Sequence, residues 1–202
     1  MRREILDELK FKLSNSLFNS SNSSYNIEDS LHNVSISTQD TNGETIKIYM
    51  TEFENIIING DKLKNKYVSK YHFPAKPSSV DAIYKFKNDN IYLIEFKNGS
   101  IEKIEIYKKA YDTFIILLDL EIIENINFSR NKVFYILVYK EDTSNINQAN
   151  IENEIEAKAG IYKNKDLFRI GSFEEYLFKE AFACSKENFD KYIVNEFINE
   201  EK

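Results

Sequence analysis

Two acids and a lysine on neighbouring apolar segments are the residues of this chain whose types and spacing could do chemistry. Asp81 begins a short apolar run, and Glu95 and Lys97 end a second run that starts at Ile91. Residues two apart in a β-strand share a face, so Glu95 and Lys97 point the same way if this run is a strand. The residues Asn-Asp-Asn at 88–90 are typical of a tight turn. The spacing therefore predicts a β-hairpin with two carboxylates and an ammonium on one surface.

The length of the hairpin loop determines which residues face each other. A three-residue loop at 88–90, with Asn90 in the left-handed conformation, predicts Asp81 opposite Lys97 and diagonal to Glu95. Two carboxylates this close repel each other, and a divalent cation between them relieves the repulsion. Mg²⁺ prefers hard oxygen ligands, while a lysine beside it orients the attacking water and stabilises charge that develops on a phosphate. This combination predicts phosphoryl-transfer chemistry.

The same residues resemble the PD-(D/E)xK nuclease superfamily, the fold of many restriction and repair nucleases, over the middle third of the chain. Asp81 matches the first acid, and Glu95-Phe96-Lys97 matches the (D/E)xK triplet. The proline of the family name is displaced, because Val80 precedes the acid and Pro77 lies earlier. The resemblance implies a Mg²⁺-dependent nuclease in which Mn²⁺ can substitute. Asp81 and Glu95 would then hold the metal, and Lys97 would assist the attacking water.

The resemblance also implies a third acid on an upstream helix. A helix is predicted after Thr51 because apolar and small residues recur there at helical spacing, namely Phe53, Ile56, Ile57, Gly60 and Leu63. Glu52 falls at the edge of that apolar stripe, and Glu54 lies further round toward solvent. Glu52 is therefore the predicted third catalytic acid and metal ligand, with Glu54 as the alternative.

Charge is distributed unevenly along the chain. The net charge is −6, yet the segment 62–109 contains eleven lysines and five acids, a local balance of +6. A basic segment around the proposed site is what phosphate binding needs. Lys76, Lys103 and Lys108 are the predicted nucleic-acid contacts, the last two because a helix flanks the site in related nucleases. Nucleic acid is the predicted partner, with DNA favoured over RNA, and a homodimer stays open.

The order of elements predicts an α/β fold, a small mixed sheet flanked by helices. The resemblance makes this a restriction-endonuclease-like αβββαβ core with extra N- and C-terminal helices. Three segments are expected: a helix (2–13) and polar Ser/Asn-rich arm over 1–44, the nuclease-like core over 45–140, and a helical extension packed on that core over 141–202.

Individual elements follow from turn residues and apolar periodicity. A hairpin is predicted around the Asp-Thr-Asn-Gly turn at 40–43. A long helix is predicted over 101–118, and a buried central strand over 132–140. Further along, the patterns predict a polar helix at 145–158, a short strand at 167–170, and helices at 173–183 and 189–197.

Composition narrows the cellular setting. The single cysteine, Cys184, lies in an apolar context and cannot form an intramolecular disulfide. The first ten residues are charged and helical in pattern, unlike a signal peptide, and the longest apolar patch, 114–118, is far shorter than a membrane span. The sequence predicts a cytoplasmic protein with no membrane partner.

Two other functions stay open. A catalytically inactive nuclease-fold module would bind nucleic acid or protein, and it need not hold Mg²⁺ at Asp81 and Glu95. An RNA-cleaving endonuclease on the same fold, similar to the cap-snatching endonucleases of segmented viruses, would place a histidine near the metal, for which His72 is the candidate. A role in phage defence or DNA processing rests on family analogy alone.

Overall fold

A six-stranded mixed sheet with helices on both faces forms the centre of the fold. The computed structural model describes residues 27–41, 44–86, 88–98, 102–140 and 163–200. The predicted helix at 2–13, the turn residues 42–43 and the predicted helix at 145–158 lie outside these ranges. Among the described residues, no helix combines the length and the apolar character needed to cross a membrane.

The elements follow one another along the chain with these bounds. The strands are β1 (Glu28–Ser30), β2 (Ile36–Thr41), β3 (Glu44–Tyr49), β4 (Ile56–Asn59), β5 (Ala82–Lys85), β6 (Ile91–Lys97), β7 (Val133–Tyr139) and β8 (Glu180–Ser185). The helices are α1 (Leu31–Val34), α2 (Gly60–Tyr71), α3 (Lys103–Asp119), α4 (Ile126–Lys132), α5 (Lys186–Asn188) and α6 (Val194–Glu200). A 3₁₀ stretch covers Leu167–Phe173, and a π-helical turn, Phe189–Ile193, joins α5 to α6.

The large sheet has the strand order β1-β4-β5-β6-β7-β8. Pairing is antiparallel from β1 to β6 and parallel from β6 through β7 to β8. This confirms a mixed α/β fold with helices around a mixed sheet, and it confirms the central position of β7. The predicted hairpin is also present, as β2 paired with β3. Strand β1 lies in the predicted polar arm, and β8 lies in the predicted helical extension.

The side chains of the sheet alternate between two separate cores. The first, here called the α3 face, joins strand residues to α2 and α3, and its members include Ile83, Leu93, Tyr135, Leu63, Ile106 and Phe114. The second, here called the aromatic face, joins the opposite side of the strands to the C-terminal helices, and its members include Tyr84, Tyr92, Phe134, Phe189 and Phe197. The candidate chemistry lies at the edge of the α3 face.

The segment before α2 is a strand, so the helix predicted around Glu52 is wrong. Ile56–Asn59 forms β4, and α2 begins only at Gly60. Three consecutive isoleucines favour extended backbone, because β-branched side chains lose rotamer freedom in a helix. Asn59 then caps α2 by accepting a hydrogen bond from the Lys62 amide at 3.0 Å. The apparent helical spacing combined residues of a strand with residues of the following helix.

The helix predicted at 173–183 and the strand predicted at 167–170 are also wrong. The 3₁₀ stretch ends at Phe173, and β8 follows at Glu180, parallel to β7. From Ala181 onward β8 is buried on both of its sides, so packing against β7 and the two cores overrides the helical propensity of its alanines. Helical structure at 189–197 is confirmed, and Ser185 caps its start by accepting from the Asn188 amide.

Candidate active site

The hairpin of β5 and β6 brings Asp81, Glu95 and Lys97 to one face. Ala82 pairs with Ile94, so Asp81 lies opposite Glu95 and not opposite Lys97 as predicted. The loop is one residue earlier than predicted, because the Phe86 amide donates to the Asn90 carbonyl and Asp89, with φ of 64°, adopts the left-handed conformation expected of Asn90. The resulting register differs by two residues, an even number, which leaves the shared face intact.

Asp81 is held by backbone contacts at the start of β5. Its Oδ2 accepts a hydrogen bond from the Phe96 amide at 2.7 Å, and its carbonyl accepts from the Gly60 amide at 3.0 Å. The preceding Val80 amide donates to Thr113 Oγ1 on α3 at 2.9 Å. A Cβ on Gly60 would lie 1.8 Å from the Val80 carbonyl oxygen, so only glycine fits here. The start of α2 and α3 therefore position the acid from two sides.

Lys109 on α3 lies between the two carboxylates, and the sequence analysis missed it. Its Nζ is 2.6 Å from Glu95 Oε1 and 3.4 Å from Asp81 Oδ1. Lys97 Nζ is 3.6 Å from the same Glu95 oxygen and 3.3 Å from Glu105 Oε2. Both acids thus converge on one cationic group, as they would on a metal ion.

A signal for Lys109 was present in the helical projection of α3. Ile106, Ala110, Thr113 and Leu117 form the buried stripe of this helix. Lys109 follows Ile106 by three residues and therefore falls on the flank of that stripe. A lysine beside a buried stripe, in a helix that follows a strand with an acid, indicates an internal charge partner.

Burial dominates the electrostatics of the site. Glu95 has no exposed surface, and burial together with the nearby Asp81 raises its pKa to about 8. Burial also raises the pKa of Asp81, and Lys109 only partly offsets this. For Lys109, burial lowers the pKa, but attraction to Asp81 and Glu95 outweighs burial and the pKa lies above its ordinary value. The carboxylates are therefore short of positive charge even with Lys109 in contact.

Two buried polar atoms near the site, Glu95 Oε2 and the Tyr135 hydroxyl, have no hydrogen-bond partner among the described residues. Tyr135 is fully buried, and burial followed by the charges of Glu95 and Asp81 raises its pKa well above the ordinary value. An unpaired buried carboxylate oxygen is costly unless a donor or a cation compensates it. The donor set of Asp81 and Glu95 therefore fits a hard divalent cation, since Mg²⁺ is commonly held by one or two carboxylates plus substrate phosphates.

A third acid, Asp61 in the first turn of α2, interacts electrostatically with this site. It raises the pKa of Asp81 and itself interacts with Lys109. Burial raises the pKa of Asp61, but hydrogen bonds from Lys64 and Ser79 outweigh burial and hold the pKa below its ordinary value. Across the described part of the chain, no three His, Cys, Asp or Glu side chains gather closely enough to hold a metal by themselves.

Glu52 and its alternative Glu54 lie in the loop before β4, and they are not brought to the site. Glu52 is exposed and lies 3.6 Å from His32 Nδ1. Strand β4 pairs antiparallel with β5 so that Asn59 faces Ala82, which puts Asp81 beside the far end of β4. The length of β4, about 13 Å, therefore separates the predicted third acid from the carboxylate pair.

The predicted nucleic-acid contacts divide into two places. Lys76 and Lys108 line a groove of about 370 Å³ on the outer side of α2 and α3. Lys103 lies over the Tyr107 ring, 5.1 Å from its centroid. His72, the candidate for the RNA-cleaving alternative, follows the last residue of α2, a helix about 18 Å long that begins beside Asp81. His72 is therefore remote from the carboxylate pair.

Comparison with known proteins gave no match to a protein-family model, to a curated protein or to a solved structure.

Proposed function

We propose that this protein is a metal-dependent nuclease of the PD-(D/E)xK type, which hydrolyses phosphodiester bonds of nucleic acid. The observation that carries the proposal is the convergence of Asp81 and Glu95 on one cationic group, Lys109, while Glu95 Oε2 has no hydrogen-bond partner in the described part of the chain. Buried ion pairs contribute little to stability. A fully buried carboxylate beside a half-buried one is better explained by a cation site than by packing.

The chain's own residues have distinct roles in this proposal. Asp81 and Glu95 hold the cation, and bound Mg²⁺ or Mn²⁺ would supply Lewis-acid polarisation of the scissile phosphate. Lys97, anchored by Glu105, orients the attacking water and stabilises negative charge on the phosphate. Lys109, which contacts both carboxylates, would be free to contact the substrate phosphate if a divalent cation took its place. Asp61 replaces Glu52 as the candidate third acid.

The restriction-endonuclease-like core belongs to the same proposal. The order α2, β5, β6, α3, β7 corresponds to the helix, hairpin, helix and strand of the expected αβββαβ core. One departure concerns the third antiparallel strand, because β4 precedes α2 in sequence and does not lie between that helix and α3. The carboxylates still lie where the hairpin meets the two helices.

A cleavage panel tests this function. Plasmid, linear duplex, single-stranded DNA and RNA are incubated with the protein in Mg²⁺, Mn²⁺ or EDTA. We expect metal-dependent cleavage of at least one substrate and loss of that cleavage in Glu95→Gln. Glu124→Gln, which changes an exposed glutamate before α4, serves as the matched control and is expected to cleave like the wild type. Cleavage that persists in EDTA, or that survives Glu95→Gln, would contradict the proposal. The RNA arm decides between the DNA and RNA alternatives.

The close contact of Lys109 with Glu95 also favours a second function, a catalytically inactive binding module in which Lys109 permanently replaces the metal. The two functions differ in their response to metal ions. A nuclease is stabilised by Mn²⁺ because the ion binds the folded state, whereas the inactive module keeps the same melting temperature at every Mn²⁺ concentration.

A further inference from the structure

The groove on the outer side of α2 and α3 has aromatic walls and basic edges. Its lining includes Tyr67, Phe73, Lys76, Pro77 and Lys108, and its volume of about 370 Å³ is at the lower end of ligand-binding clefts. Two chain connections join its lining to the residues of the carboxylate pair. Lys108 is the neighbour of Lys109 on α3, and Pro77 begins the short segment that ends at Asp81.

Two aromatic residues of the groove lining, Tyr67 and Phe73, pack with Tyr71 in a cluster of three rings at the end of α2. Tyr67 is buried and anchors the group, while Tyr71 and Phe73 are 39% and 43% exposed. The Tyr71 and Phe73 rings are stacked, with centroids 5.5 Å apart and planes 25° apart. His72 between them adopts a left-handed conformation with φ of 54°, which is uncommon for a residue other than glycine. The backbone thus folds Phe73 back onto the helix and presents a flat apolar surface to solvent.

Positive charge surrounds this surface. Lys70 Nζ lies 4.7 Å from the centroid of the Tyr71 ring, and Lys76 and Lys108 are exposed at the groove. The carboxylate of Asp112 in the groove accepts a hydrogen bond from the Ser78 amide at 2.6 Å. Asp119 is engaged by the Tyr67 hydroxyl. Exposed rings bordered by lysines match the chemistry of single-stranded nucleic acid, whose bases stack on aromatic rings while its phosphates contact cations.

We infer that this groove, lined by Phe73, Lys76 and Lys108, binds a single-stranded nucleic acid and directs its backbone toward the carboxylate pair. The inference rests on the proposed function for the class of ligand. The proposed ligand is single-stranded because the faces of the bases in a duplex are stacked on one another, where Phe73 cannot reach them. DNA and RNA share the stacking and phosphate chemistry, so both are arms of the test.

Fluorescence anisotropy tests the inference without requiring cleavage. Labelled single-stranded DNA, single-stranded RNA of the same sequence and the DNA duplex are titrated with the full chain in EDTA. We expect at least one single strand to bind more tightly than the duplex, and Phe73→Ala to weaken that binding about tenfold. Phe73→Tyr, which keeps a ring, is expected to restore it. Tyr176→Ala, which removes an even more exposed ring elsewhere, is expected to bind like the wild type. Lys108→Ala is expected to reduce the salt dependence of binding, because it removes one phosphate contact.

Several results would overturn the inference. The first is a duplex that binds as tightly as either single strand, and the second is an unchanged affinity in Phe73→Ala. The third is a Phe73→Ala variant whose sole change, measured by light scattering, is the loss of dimers, because the ring would then serve contact between two copies of the chain. The proposed function fails separately. A wild-type protein that cleaves while Phe73→Ala binds normally overturns only the groove, and single-strand binding that needs Phe73 without any metal-dependent cleavage overturns only the nuclease.

Discussion

Strand β6 is buried on both sides, with a carboxylate on one side and an aromatic ring on the other. Glu95 points to the α3 face and has no exposed surface, whereas its neighbour Phe96, 8% exposed, points to the aromatic face and contacts Phe189. The aromatic face consists of packed rings and aliphatic side chains. The α3 face buries a carboxylate that needs Lys109 as its counter-charge. The packing of the aromatic face stabilises the fold. The α3 face has a buried charge at its edge that stability alone does not require.

The difference matters because buried ion pairs and buried rings respond differently to change. Replacing a buried ion pair with apolar residues of similar size is often neutral or stabilising, while removing one partner is destabilising. Removing a buried ring leaves a cavity and costs stability under all solution conditions. The two faces can therefore be distinguished by measuring whether a metal ion or a lower pH restores the stability that a substitution removes.

The largest loss is expected on the aromatic face. Phe197→Ala removes a ring that contacts the rings of Tyr84, Phe86 and Tyr92 with centroids 4.9 to 5.3 Å apart. We expect the free energy of unfolding, measured in urea, to fall by about 4 kcal/mol. Because a cavity has no charge to satisfy, Mn²⁺ should not change this loss. Tyr176→Ala, at an exposed ring, should stay within about 0.5 kcal/mol of the wild type. A loss in Phe197→Ala that Mn²⁺ reverses would break the distinction between the faces.

A smaller and reversible loss is expected on the α3 face. Lys109→Met keeps the apolar stem but removes the ammonium that contacts both Asp81 and Glu95, leaving Lys97 as the remaining cation beside Glu95. At pH 9 in EDTA the free energy of unfolding should fall by about 3 kcal/mol, and at pH 6 by less, because the carboxyls can then take up protons. Mn²⁺ should restore the lost stability. Lys191→Met, at an exposed position, is the control and should show neither effect. A loss that is the same with and without Mn²⁺ would contradict a cation site.

Lys97 should affect chemistry more than metal binding. Lys97→Ala removes an ammonium 3.6 Å from Glu95 Oε1. We expect the single-turnover cleavage rate to fall roughly a hundredfold, or about 2.7 kcal/mol of transition-state stabilisation, with the Mn²⁺ affinity unchanged in calorimetry. Lys191→Ala should cleave at the wild-type rate. Equal cleavage rates in Lys97→Ala and the wild type would show that Lys97 is a surface residue with no role in the reaction.

A further effect concerns the pH dependence of stability. The pKa of Glu95 is raised from 4.5 to about 8, mainly by burial, so the folded protein retains a proton that the unfolded chain has released. Stability of the metal-free protein should therefore fall as the pH rises from about 4.5 to about 8. Glu95→Gln should flatten this decline, because the group that releases the proton is removed. Unfolding curves across this range measure it, with Glu124→Gln retaining the wild-type slope. Identical slopes in Glu95→Gln and wild type would place the titration elsewhere.

The alternation of side chains along β6 made part of the site predictable from the sequence. Parity alone assigned Glu95 and Lys97 to one face, and the error of two residues in the register of Asp81 was harmless because it is even. Helix α3 and strand β7 were also predicted, since their apolar patterns are long and regular.

Long-range contacts explain what the sequence did not reveal. The run Ile56–Ile58 becomes a strand because β1 and β5 flank it, and Asp61 rather than Glu52 is then the upstream acid that interacts with Asp81. Residues 180–185 become a strand because β7 offers an edge in a buried position. Lys109 lies 14 residues beyond Glu95, and only the packing of α3 across the sheet brings the two together.

The most direct test of the cation site is a crystal structure with Mn²⁺, recorded with anomalous scattering. The account predicts an anomalous peak between the carboxylates of Asp81 and Glu95, with Lys109 moved away from Glu95 and toward solvent. The same crystals of Glu95→Gln should lack the peak. A structure at saturating Mn²⁺ in which Lys109 still contacts both acids, with no peak beside them, would contradict it.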